Sequence, residues 1–190
     1  MRTGVDPVPG TGEALVAAER LLAERGPTAV PTPADVVRAV VGRHEASMER
    51  TRLRMLTEVA ESREVRDWVA CLVRPCTEHL AHLGRPAWYA RFLARALADP
   101  DLRRVVVDRT STAGSVPRVL DGIARCVPAL PPPVRLERGA MTRILLSDAC
   151  ARRERALAEG GRVRGRSWED LAGGLVDAIS GVWLAPAAGR

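Results

Sequence analysis

Over most of this chain, apolar residues recur at close to the 3.6-residue period of a helix, and no stretch alternates as a half-buried strand would. Val37, Val40, Val41, His44, Met48, Met55, Leu56 and Val59 share one face. They predict a long helix from Thr32 or Pro33 to about Ser62, with Arg38, Arg43, Glu45, Arg50 and Arg54 on its other faces. Val65, Trp68, Val69, Leu72, Val73, Cys76 and Leu80 predict a second helix over Glu64–Leu83. Pro75 falls inside it; the ring removes the backbone bond to Cys71 and predicts a kink. Ala87–Ala98 carries Trp88, Tyr89, Phe92, Leu93 and Leu97, and Asp99-Pro100-Asp101 stops it and starts a helix holding Leu102, Val105 and Val106. Ser115-Val116-Pro117 opens the next, with Val119, Leu120, Ile123, Cys126 and Val127 inward, and the run Pro128–Pro133 ends it. Val134–Glu159 is a second long helix, bearing Leu136, Ala140, Met141, Ile144, Leu145 and Cys150. After a basic loop, Ser167 and Asp170 form a capping pattern for a last helix with Leu171, Leu175, Ile179, Val182 and Trp183, ended by Pro186. Upstream, Leu15, Ala18 and Leu22 predict a helix over Glu13–Arg25, stopped by Gly26-Pro27. The reading is all-α, with about eight helices and a disordered tail at 1–12.

Composition agrees with that reading. Aromatic residues are only 3% of the chain, so Ala, Leu and Val must do most of the packing, which favours helices over strands. The net charge of +6 rests almost wholly on arginines spread along the chain, a distribution that reads as solvated helix faces more than as one phosphate-binding patch. No run of about 18 apolar residues exists to span a membrane, and the N-terminus lacks the apolar core of a signal peptide. Cys71, Cys76, Cys126 and Cys150 show no paired short spacing, so disulfides are not implied and a cytoplasmic location is expected.

Catalytic and metal chemistry find little footing. Cys76, His79 and His82 are three apart on one helix, with His44 upstream. Neighbours at that spacing share a face, but three in a row drift around the helix, and no second pair completes a tetrahedral site. The three histidines read as residues of half-buried faces. No Ser/His/Asp grouping, phosphate loop or carboxylate pair stands out. The expectation is no enzyme, no metal and no cofactor.

Two stretches carry a family signature. Ala14-Leu15-Val16-Ala17-Ala18-Glu19-Arg20-Leu21-Leu22-Ala23-Glu24-Arg25-Gly26-Pro27-Thr28-Ala29-Val30 and Ala34-Asp35-Val36-Val37-Arg38-Ala39-Val40, followed downstream by Trp88–Arg103, resemble the TetR family of bacterial transcriptional regulators. The resemblance extends over nearly the whole chain. In that family a helix-turn-helix, roughly twenty residues or more, sits between the first two of these helices. Val30 to Asp35 is too short to hold it, and the family's Tyr-x-x-Phe-like pair is absent there, since the single Tyr89 and the single Phe92 lie far downstream. Either the protein truly lacks the reader, or the sequence as written omits it between about Val30 and Ala34.

The resemblance implies a remnant of the DNA-binding domain over 13–42 and an effector-binding and dimerisation domain over 43–186. It implies an effector pocket among the middle helices; Trp68, Cys71, Leu72, Trp88, Phe92, Arg95, Cys126, Met141 and Leu145 are the candidate lining. An effector between Trp68, Trp88 and Phe92 would favour one tilt of the Ala34–Ser62 helix. Arg20, Arg25 and Arg38 are candidate phosphate contacts on double-stranded DNA, if a reader is present. The last two helices imply a homodimer, and the small stripe Gly174, Ala178, Gly181 with Val182 is its candidate face. The implied function is a transcriptional regulator, read as a repressor, that binds a small apolar effector. The alternative is a helical small-molecule sensor or partner protein without DNA binding.

Overall fold

The structure, a computed structural model, describes residues 31–84, 87–111, 114–160 and 167–187. Those residues form seven helices and no strand: α1 (Pro33–Glu58), α2 (Val65–Leu83), α3 (Tyr89–Ala98), α4 (Pro100–Ser111), α5 (Val116–Cys126), α6 (Pro132–Ala158) and α7 (Trp168–Leu184). The predicted Glu13–Arg25 helix and the first family stretch lie outside the described residues. Among the described residues no helix is long and apolar enough to cross a membrane.

The helix starts follow local chemistry. Thr32 and Asp35 form a reciprocal capping box at α1, with Pro33 in the first turn. Ser167 and Asp170 do the same at α7. Asp99 Oδ1 accepts from the backbone N–H groups of Asp101 and Leu102, which starts α4. Two boundaries differ from the sequence expectation. α1 ends at Glu58, not near Ser62, because Ser62 is used outside a helix: its hydroxyl accepts from Glu64 N–H and its carbonyl accepts from Trp68 Nε1. α6 begins at Pro132, so the prolines expected only to end the preceding helix also open the next one. Proline is well placed in a first turn, where its missing N–H has no intrahelical partner to lose.

α2 is the central helix. It packs along α7 and α5, while α3 runs against α6 and α1 crosses α2 and α4. One apolar cluster joins Leu56, Trp68, Val69, Val119, Ile123, Ile179 and Trp183. A second joins Val40, Met48, Leu80, Tyr89 and Cys150, and a third joins Val37, Val41, Ala96 and Val106. Residues 34–42, assigned from sequence to the reader remnant, are thus built into the same body as the rest of α1.

α2 and α5 approach closely at Gly122. A Cβ there would fall inside the Trp68 ring, which is buried and held by Ser62 on one side and the Arg125 guanidinium on the other. Gly122→Ala should therefore destabilise the protein by about 1–3 kcal/mol, against the roughly 1 kcal/mol that helix propensity alone would gain. Urea unfolding of the variant measures this; a gain in stability would show that the two helices separate without cost.

α2 continues as a helix through Pro75. The proline leaves the Cys71 carbonyl without its intrahelical donor, and a buried arginine replaces it: Arg52 Nε of α1 donates to Cys71 O at 3.2 Å. Its NH1 donates to Glu49 at 2.9 Å, and Ser115 Oγ donates to the same Glu49 oxygen. α1, α2 and the start of α5 are joined through this one network.

Two more buried charges finish helix ends from a distance. Glu154 of α6 accepts from the backbone N–H groups of Ala90 and Arg91, at 3.2 and 2.9 Å, and from Arg91 Nε. It caps α3, whose own N-cap Trp88 supplies no side-chain bond. Arg138 donates to the carbonyls of Trp183 and Ala185, both at 2.6 Å, and so closes the C-terminal end of α7.

Candidate ligand-binding cavity

All seven helices contribute to one cavity of about 670 Å³, within the range of small-molecule sites. Its apolar wall includes Met48, Leu72, Leu80, Leu93, Leu97, Val106, Leu120 and Leu146. The N-terminal half of α6 forms the outer side, through Arg135, Leu136, Gly139, Ala140 and Arg143. Leu136 is 77% exposed, which marks this side as the rim.

Polar groups stand at both ends. At the inner end lies Tyr89, 1% exposed, the first residue of α3. His44 stacks on its ring at 3.8 Å between centroids and closes it from behind. The Tyr89 hydroxyl has no hydrogen-bond partner among the described residues. Burial, then the nearby Glu45 and Cys76, hold the phenol well above its ordinary pKa, so it is a neutral O–H donor. The neighbouring Cys76, with burial, holds the Cys150 thiol well above the ordinary thiol value. Both thiols line the cavity as free cysteines.

Burial pushes the Glu45 carboxyl from the ordinary 4.5 up to about 6, against the pull of Arg52 at 3.9 Å. The folded state therefore binds this proton more tightly than the unfolded chain. The contribution of Glu45 to stability improves as pH falls from about 6 to about 4.5 and is lost as pH rises again. At roughly 1.4 kcal/mol per unit, the effect is on the order of 2 kcal/mol. Glu45→Gln is expected to stabilise the protein by about 1–2 kcal/mol at pH 7 and to flatten the pH profile of urea unfolding over this window. An unchanged profile would show that Glu45 does not titrate there.

The outer end is cationic. Arg143 lines the cavity with its guanidinium pKa lowered, first by burial and then by the neighbouring cation Arg103. It forms no ion pair among the described residues, nor does Arg135 on the same wall. Asp121 also lines the cavity, beyond ion-pair distance of either arginine.

Of the nine residues selected from sequence as candidate lining, Leu72 lines this cavity. Trp68 is core between α2 and α5, and Cys71 is buried with its thiol pushed up to about 11, chiefly by burial. Trp88 and Phe92 meet edge to face at 5.9 Å in the second cluster. They are not brought together with Trp68, so the three aromatics do not enclose one space. Met141 and Leu145 are exposed on the outer face of α6, Cys126 is half-buried beside the first cluster, and Arg95 is not at the cavity. The sequence reading missed Tyr89, Glu45, Arg52, Cys76, Cys150 and Arg143. The one signal present was that Tyr89 is the only tyrosine.

The remaining candidates fall elsewhere. His44 is buried, His79 half-buried and His82 exposed, where all three were expected half-buried. His44 Nδ1 and His79 Nε2 share a hydrogen bond at 2.7 Å, and His82 Nδ1 lies 2.7 Å from the Glu78 carbonyl. Among the described residues no three His, Cys, Asp or Glu gather to hold a metal. Arg38 is exposed and paired with Asp35 at 2.9 Å; Arg20 and Arg25 lie outside the described residues. Gly174, Ala178 and Gly181 are exposed on α7 and Val182 is half-buried.

No protein-family model matches this chain, and no curated protein or solved structure matches it. What the fold and cavity define is a class: an all-helical protein with a mostly apolar, ligand-sized cavity, polar at both ends.

Proposed function

We propose that this protein is a small-molecule-responsive regulator of the TetR type, whose helical body binds an effector and forms a homodimer. The cavity carries the reading. It is large enough for an organic effector, and its walls come from every described helix, so an occupant touches α1 and α6 together. α1 has 26 residues, close to 39 Å at about 1.5 Å per residue, long enough to transmit a tilt across the molecule. A ligand that favours one tilt by ~1–3 kcal/mol would couple usefully to a distant partner. The effector expected between the aromatics is thus relocated to the space bounded by Met48, Leu72 and Tyr89.

Dimerisation is supported by the outer faces of the last two helices. A Cβ at Gly174 or Gly181 would meet nothing within 4 Å, and Met141, Ile144, Leu145 and Leu184 leave large apolar surfaces exposed on α6 and α7. Two such faces can approach closely across a two-fold axis.

The second reading, a sensor that does not itself bind DNA, is favoured by one observation. Thr32 caps α1 directly, and the few residues from Val30 to Asp35 are too short to form a reader. Gel-shift titration of the full protein against its upstream promoter separates the two. A specific shift released by a cavity ligand supports the regulator. Ligand binding without any specific shift supports the sensor. Sedimentation tests the shared part: a monomer at micromolar concentration would remove the dimer from both.

A further inference from the structure

We infer that the cavity takes an amphipathic monocarboxylate, with its carboxylate on Arg143 at the rim, its apolar chain along the wall, and an oxygen acceptor at its far end facing the Tyr89 hydroxyl. The inference rests on reading the cavity as the effector site, and it fixes the chemistry and direction of the occupant.

Two groups in the cavity wall lack the partner their chemistry calls for. Arg143 is a partly buried cation with no ion pair among the described residues, and its strongest charged neighbour, Arg103, is another cation. A cation in that setting is unfavourable until an anion reaches it. Arg135 stands two turns earlier on the same wall and adds to the positive field; Asp121 opposes it from α5 without pairing with either. Tyr89 is the second group. The residue lines the cavity's inner end and its hydroxyl is buried and unpartnered, so a single O–H is left for an occupant that packs against this wall.

Direction follows from the charges. Glu45 lies close to Tyr89, so an anion placed at the inner end would meet a carboxylate. The inner cation, Arg52, is already committed to Glu49, Glu45 and the Cys71 carbonyl. A carboxylate is therefore accepted at Arg143 and rejected at Tyr89, where a hydroxyl or carbonyl oxygen fits. Cys150, beside Cys76 at the inner end, is seven residues from Arg143 on α6. That is about 10 Å along the axis at ~1.5 Å per residue, a span suited to a medium-length chain.

The test is calorimetric binding of four ligands of one chain length to the full protein: decanoate, decanol, decylamine and ω-hydroxydecanoate. Decanoate is expected to bind about tenfold or more tighter than decanol or decylamine, and ω-hydroxydecanoate several-fold tighter still. Arg143→Gln should weaken decanoate about tenfold and leave decanol unchanged. Tyr89→Phe, which keeps the ring on His44, should leave decanoate unchanged and erase the gain of the ω-hydroxyl. Decylamine or decanol binding as tightly as decanoate, or decanoate indifferent to Arg143→Gln, overturns the assignment and leaves the cavity reading standing. If none of the four binds, the cavity reading itself fails and the inference with it.

Discussion

Replacing Arg52 by methionine is expected to lower the unfolding free energy by about 3 kcal/mol, the largest effect of any single change in α1. Methionine preserves the stem's packing but removes the cation that faces Glu45 at 3.9 Å and the donor to Glu49 and to the Cys71 carbonyl. The last exists as an orphan only because Pro75 has no N–H. That gives a sharper measurement than the single variant. In a Pro75→Ala background, residue 75 regains its N–H and supplies Cys71 O from within the helix. The cost of Arg52→Met should then fall by about 1 kcal/mol, the worth of one hydrogen bond in a buried setting. Urea unfolding of the four proteins in the cycle reads this. Additivity within about 0.5 kcal/mol would show that Arg52 contributes through its carboxylates alone.

Glu154 should be nearly as sensitive. Glu154→Ala is expected to cost about 3 kcal/mol, because it leaves two first-turn N–H groups of α3 with no acceptor and the Arg91 guanidinium with only the Ala87 carbonyl. Glutamine should not rescue it. Its amide offers one oxygen where the site has donors on both sides, so one N–H would face the new NH₂. The expected cost of Glu154→Gln is therefore about 2 kcal/mol, above that of an ordinary isosteric change. Hydrogen exchange at the Ala90 and Arg91 amides should lose protection in both variants, ahead of α6 itself. Full stability for Glu154→Gln would mean that solvent reaches these groups. The effect bears on the cavity, since Tyr89 is the first residue of α3 and its hydroxyl is only as well placed as that turn.

These two charges illustrate where reading along the chain stops. The periodic positions of α2 and α7 predicted their buried faces well: Trp68, Val69, Val73, Leu175, Ile179 and Trp183 all lie in the core. The capping pair Ser167/Asp170 placed a helix start correctly. These signals are local, set by neighbours within one turn. The charged residues of α1 and α6 carry no such signal. Arg52, Arg138 and Glu154 sit among other charged residues and look like solvated face, yet each is buried because a partner from another helix meets it there. The aromatics misled in the opposite direction. Trp68, Trp88 and Phe92 look like a pocket by scarcity, but Gly122 admits Trp68 into a helix–helix contact and leaves it no free face.

The sequence by itself determined that this protein is all-helical, where most of its helices begin and end, and which apolar faces turn inward, because those properties depend on backbone bonding and side-chain spacing over a few residues. Only the tertiary structure decided which buried charges close which helix ends, and that Tyr89, Glu45 and Arg143 face one cavity. Those juxtapositions join residues 44 to 98 positions apart, and no spacing rule along the chain encodes a distance between helices.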